Sequence, residues 1–158
     1  MKVVSNTTPL CYLVLIDEIH ILPELFGDIL IPEAVQSELT NLNAPPTVRK
    51  WIADPPGWLK IMDVETAITP ELNKLHAGER EAIMLAQRIN ADLVVLDEKF
   101  SRQVAVSRGL SVTGLLGILD RAASRSMLNL FEAVKRLEQT NFRVKPLLLK
   151  KLLEKHGF

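Results

Sequence analysis

The order of apolar and polar positions predicts most of the secondary structure. A short run at residues 2–4 stops at Ser5-Asn6, and Thr8-Pro9 then supplies an N-cap and a first-turn proline. A strand is therefore expected to pass directly into a helix that reaches about residue 16. Residues 18–26 continue as a helix despite Pro23, Gly27-Asp28 ends it, and residues 29–31 read as a second short strand. Pro32 opens a further helix to about residue 40, with Val35 and Leu39 on its buried side. Residues 41–70 carry Pro45-Pro46, Pro55-Pro56-Gly57 and Pro70 around a helix at 47–53 and a strand at 59–62, and read as a peripheral excursion.

Beyond Gly78, a helix at 79–89 leads through Asn90-Ala91-Asp92 into Leu93-Val94-Val95-Leu96, a wholly apolar run expected of a strand buried on both faces. Asp97 stands at its carboxyl end. A helix at 98–108, stopped by Gly109, a strand at 110–112 and a helix at 114–125 follow, then helices near 128–139 and 145–155. This alternation predicts one α/β domain over residues 1–158, a parallel sheet of four or five strands covered by helices on both faces. Residues 126–158 read as a basic C-terminal helical extension of it.

Composition narrows the class. A chain of 158 residues that is 47% apolar and 24% charged can bury a full core and is not disordered. A lone cysteine, Cys11, rules out an internal disulfide and a cysteine zinc site, which suits a reducing compartment. The longest apolar stretch, residues 10–16, falls far short of the ~20 residues that span a bilayer, so a cytoplasmic protein with no membrane partner is expected. Net charge is zero but uneven: residues 1–120 hold 10 basic and 16 acidic groups, whereas residues 121–158 hold 9 and 3. Arg121, Arg125, Lys135, Arg136, Arg143 and Lys145 are thus candidate phosphate contacts, or else the solvated faces of two helices.

In open parallel sheets, ligands bind outside the carboxyl ends of the strands, so the residues that follow each strand matter most. Asn6 follows the first and Asp97 the long apolar one, with Glu38 and Glu79 on nearby helices. Three carboxylates and an amide oxygen suit Mg²⁺ or Mn²⁺ rather than zinc, and the chemistry they imply is phosphodiester hydrolysis. Each also has a plain structural reading: Asp97 and Asn6 as caps, Glu79 as a first-turn acid favoured by the helix dipole, Glu38 as a solvated helix residue. Glu81 and Glu98 read as surface groups, with a place in the cluster left open to either. His20, His76 and His156 lack zincin spacing, no P-loop or GxGxxG occurs, and Tyr12, Trp51 and Trp58 are too scattered for a base-stacking platform.

Five motifs in order, Asn6-Thr7-Thr8-Pro9-Leu10, Ile31-Pro32-Glu33-Ala34-Val35 with Glu38, His76-Ala77-Gly78-Glu79-Arg80-Glu81-Ala82-Ile83, Leu93-Val94-Val95-Leu96-Asp97-Glu98 and Thr113-Gly114-Leu115-Leu116-Gly117, resemble those of PIN-domain proteins, in particular the VapC-like toxin ribonucleases. The resemblance covers about residues 1–120. It implies a PIN-like three-layer α/β/α fold, an acidic pocket for Mg²⁺ or Mn²⁺ and cleavage of single-stranded RNA. Carried over by motif, Asn6, Glu38, Glu79 and Asp97 are the metal positions, with Glu38, Glu79 and Asp97 catalytic. The same resemblance implies an antitoxin partner and a homodimer. Two departures stand out: Asn6 replaces the usual Asp, and Val95 replaces a Ser/Thr common two residues before the last acid. They leave open a second expectation, a catalytically weakened or inactive module that binds RNA or a protein.

Overall fold

The computed structural model describes residues 1–65 and 69–158. Among these, the chain forms five strands and nine α-helices. They run in the order β1 (Val3–Ser5), α1 (Thr7–Leu15), α2 (Ile21–Phe26), β2 (Ile29–Pro32), α3 (Glu33–Thr40), α4 (Pro46–Ala53), β3 (Leu59–Met62), α5 (Ala77–Ile89), β4 (Leu93–Val95), α6 (Lys99–Ser107), β5 (Val112–Thr113), α7 (Leu115–Ser124), α8 (Leu130–Glu138) and α9 (Pro146–Lys155). A short 3₁₀ turn at Leu72–Lys74 precedes α5. None of the described helices is long and apolar enough to cross a membrane.

The strands form one sheet in the order β3-β2-β1-β4-β5, every neighbouring pair parallel. Because side chains alternate across a strand, single residues sort the two faces. Val3, Ile29, Ile31, Leu59, Leu93 and Val95 face one core with α1, α2, α4 and α7. Val4, Val94 and Leu96 face a second core with α5 and α6. The sheet is therefore the middle of three layers, the expected α/β/α arrangement, and the continuous apolar strands follow from having both faces covered.

Two expectations need correction. The segment 41–70 is not peripheral: β3 pairs with β2 from Ile29↔Leu59 to Pro32↔Met62 as the sheet's edge strand, and Val48 and Ile52 of α4 are fully buried against the core. Its prolines and Gly57 mark where local elements stop, which carries no information about sheet membership. Trp51 and Trp58 pack on each other there at 6.1 Å, and residues 66–68 of that segment lie outside the described residues. The helix expected from Glu18 starts only at Ile21, because Asp17 takes a left-handed turn (φ 60°) after α1. At the C-terminus, α8 and α9 complete the first core through Leu130, Val134, Leu137, Leu149 and Leu152.

The strand order locates the site. From β1 the chain steps outward through β2 to β3, and from β4 it steps to β5 on the other side. The connections therefore diverge between β1 and β4, and that divergence opens a crevice at their carboxyl ends.

Candidate active site

Asn6 and Asp97 leave the sheet on either side of this crevice. Ser5 pairs with Val95 in register, and the Asn6 backbone N–H donates to the Val95 carbonyl at 3.0 Å, so the two residues stand at adjacent strand ends. Asn6 occupies the N-cap position of α1 with extended backbone, yet its side chain makes no capping bond. Its Oδ1 is buried and has no hydrogen-bond partner among the described residues. Leaving a buried acceptor unpaired costs about 1–3 kcal/mol. Capping alone therefore does not account for this amide.

Asp97 is split between two tasks. Its Oδ1 accepts from the backbone N–H of Leu115 at 2.9 Å, the first residue of α7, and so caps a helix 18 residues downstream rather than α6. Its Oδ2 is buried and has no partner among the described residues. Burial pushes the carboxyl up to about 6, against the pull of the Leu115 bond and the Arg102 charge. Gly114 is required beside it: a Cβ there would meet Oδ1 at 2.7 Å.

Glu38 reaches the site from α3 and is held at both oxygens. The Thr7 hydroxyl donates to Oε2, and the Gly78 backbone N–H donates to Oε1 at 3.2 Å. A Cβ on Gly78 would come within 2.8 Å of Oε1, so with any other residue there the carboxylate or the start of α5 would have to shift. Glu79 is buried, and its Oε1 accepts from the His76 backbone N–H at 3.3 Å at the start of α5. Glu81 lies near the backbone N–H of Ala34 at 3.4 Å, while Glu98 stays exposed at the N-cap of α6. Thr7, Gly78 and Gly114 position the acids and were not singled out from sequence. Each lies inside one of the five motifs, but the partner that explains it is far along the chain.

Asn6 and Asp97 stand at the adjacent carboxyl ends of β1 and β4, while Glu38 bonds to Thr7 beside Asn6 and to Gly78 beside Glu79 at the start of α5. Among the described residues, no three of His, Cys, Asp and Glu close into a metal-holding group. Asn6 Oδ1 and Asp97 Oδ2 are instead the buried side-chain oxygens left without a partner among the described residues. Two hard, uncommitted oxygens at adjacent strand ends fit a hard divalent cation by donor chemistry.

Three of the six C-terminal cations are engaged by groups outside the site. Arg136 donates to the Ile16 carbonyl at 2.9 Å and to Glu18 Oε1 at 2.7 Å. Arg121 sits over the Phe26 ring at 5.7 Å and Lys135 over Phe131 at 4.6 Å. Arg125, Arg143 and Lys145 are exposed. Between α8 and α9 runs a groove of about 540 Å³ lined by Phe131, Phe142, Leu149, Leu153 and Phe158, with none of the four site residues in its wall.

A parallel sheet whose switch point carries buried, unpartnered oxygen donors defines an α/β protein with an acidic site at its carboxyl edge. A family model of the PIN domain, DUF3368, matches residues 2–157, and the chain belongs to the PIN-domain family. No curated protein and no solved structure matches it. PIN domains as a class are nucleic-acid-binding nucleases and generally use divalent metal ions.

Proposed function

We propose that the protein is a Mg²⁺- or Mn²⁺-dependent endoribonuclease that hydrolyses single-stranded RNA, the toxin half of a toxin–antitoxin pair acting in the cytoplasm, as a homodimer. The observation that carries the nuclease reading is the pair of buried, unpartnered oxygens, Asn6 Oδ1 and Asp97 Oδ2, at the β1/β4 switch point. These two would hold the ion, with Glu38 and Glu79 as the flanking acids. A bound divalent ion supplies charge neutralisation at the phosphoryl group and activation of water. The chain's own residues prepare that chemistry. Leu115 fixes one oxygen of Asp97 and so aims the other, while Thr7 and Gly78 hold Glu38 still.

A second reading, an RNA- or protein-binding module that does not cut, is favoured by one feature: Asn6 offers oxygen without charge. An end-labelled single-stranded RNA incubated with a Mn²⁺ or Mg²⁺ series, beside Asp97→Asn protein as the control for contaminating nuclease, separates the two. Cleavage present in wild type and lost in Asp97→Asn is expected. Binding without cleavage at every metal concentration would establish the second reading. Asn6→Asp adds a carboxylate where the amide stands, and is expected to cleave at least as well as wild type while melting lower in chelator, where the added charge meets only other acids.

A further inference from the structure

We propose that the RNA strand enters the site along α6, with Lys99 and Arg102 as its phosphate contacts beside Asp97. The inference rests on the nuclease reading and names the surface that presents substrate to that site. A hollow of about 540 Å³ opens from Asp97 along this helix, walled by Lys99, Arg102 and Gln103 and floored by Val106 and Val112. Its volume lies within the roughly 300–1,000 Å³ usual for ligand sites.

The wall is one face of the helix. Lys99, Arg102, Gln103 and Val106 fall at i, i+3, i+4 and i+7, while Ser101, Val104 and Ala105 supply the buried face. Both cations are exposed, and among the described residues neither side chain takes part in an ion pair or hydrogen bond. Arg108, just past the far end of the same helix, behaves differently: its guanidinium is spread over Glu71, Gln87 and Thr69. The uncommitted charge on α6 is therefore at the end nearest Asp97. Arg102 lies close enough to act on the Asp97 charge. Two carboxylates stand beside these cations: Glu98, exposed at the helix N-cap, is not part of the hollow's wall, and within the wall Asp97 is the one acid against Lys99 and Arg102. Val106 is 61% exposed and with Val112 gives an apolar floor on which a base can lie while its phosphate meets the cations.

The test is fluorescence anisotropy of a short end-labelled single-stranded RNA at several salt concentrations in chelator, where binding is read without cleavage. The Lys99→Gln/Arg102→Gln double variant is expected to bind at least about ten-fold more weakly. Its slope of log Kd against log salt should fall by about 1.4, as two lost phosphate contacts on a single strand require. Arg121→Gln/Arg125→Gln is expected to leave both quantities near wild type. All four side chains are exposed, and thermal melting confirms that the variants are folded. Unchanged affinity and slope in the α6 variant, a larger loss in the α7 variant, or failure of wild type to bind the RNA in chelator would each overturn the proposal. Failure of the nuclease reading looks different: RNA would still bind through Lys99 and Arg102 but would stay intact when Mn²⁺ is added.

Discussion

At the ends of β1 and β4, polar atoms are buried and left without partners; on α8 and α9, charged atoms are exposed and several are already matched. Asn6 Oδ1 and Asp97 Oδ2 belong to the first group. Arg136 with Glu18, and Lys155 and His156 with Asp120 at 2.8 and 2.7 Å, belong to the second. The difference teaches that the number of charges in a segment does not measure its capacity to bind. An exposed cation gives up hydration and gains an ion pair at little net change. A buried acceptor with no partner has already lost its water and keeps its full appetite for a ligand. The uncharged Asn6 is on this ground a stronger binding candidate than Arg136.

The largest expected effect is at Asp97. Asp97→Asn should lower RNA cleavage by about 100-fold or more, the usual loss when one preorganised group at the reacting centre is removed. The same substitution carries a stability signature with a defined sign. The folded-state carboxyl titrates at about 6, above its ordinary 3.8. Its contribution to stability is therefore present in full below pH ~4 and is lost as pH rises through about 6, a swing on the order of 2–3 kcal/mol. In chelator, the melting temperature of Asp97→Asn relative to wild type should climb between pH 4 and pH 6.5 and then level off. A difference that stays flat over that interval would mean that Asp97 is not desolvated as described.

Gly78→Ala comes next. The new Cβ would press on the Glu38 carboxylate, so either α5 lifts from α3 or Glu38 leaves Thr7. Overpacking of this kind costs about 1–3 kcal/mol. Cleavage should fall with it, while Gly57→Ala, which meets nothing within 4 Å, should stay within about 0.5 kcal/mol of wild type in urea unfolding.

Much of this region was legible in the sequence, and the reason is local. Apolar runs with polar residues at their ends define strands and the positions where the chain leaves them, so Asn6 and Asp97 follow from short windows. The roles of Thr7 and Gly78 do not, because both act on Glu38, at separations of 31 and 40 residues. The placement of β3 was lost for a related reason: breakers such as Pro55-Pro56-Gly57 describe local backbone, whereas β3 belongs to the sheet through pairing with β2. The C-terminal region is the least legible. Its basic balance is visible at once, but the Arg136–Glu18 pair joins residues 118 apart, and nothing local announces it.

Arg136→Ala probes that pair. Glu18 is buried, and burial holds its carboxyl above the usual range even with His20 and Arg136 nearby. Without Arg136 the carboxylate keeps only the His20 ring, at 3.5 Å. The expected loss is about 1–2 kcal/mol, less than for a fully buried pair because the Arg136 side chain is 39% exposed. Since the group's pKa is raised, the deficit should be greatest near neutral pH and shrink as the solution is acidified toward pH 4. RNA affinity should not change. A variant that folds as wild type but binds RNA several-fold more weakly would return Arg136 to the phosphate contacts and erase the contrast between the two regions.

The smallest effect is expected at the C-terminal end of the helical hairpin formed by α8 and α9. Lys155 and His156 tie α9 to Asp120 on α7, and the Lys155 hydrogen bond is the main cause that holds the Asp120 carboxyl below its ordinary range. The Lys155 side chain is 60% exposed, so most of that pairing is screened and its loss in Lys155→Ala should be no more than about 0.5 kcal/mol. The sign is opposite to that at Asp97. A depressed carboxyl stabilises above its unfolded pKa, so the small deficit of Lys155→Ala should be visible at pH 7 and vanish as pH falls below about 4. Urea unfolding at the two pH values measures it, with cleavage assayed in parallel. Cleavage should be unchanged, because Asp120 and Lys155 touch neither the crevice nor α6. A marked loss of cleavage in Lys155→Ala at preserved stability would show that the C-terminal helix serves the site directly, and the division between a binding edge and a structural hairpin would have to be withdrawn.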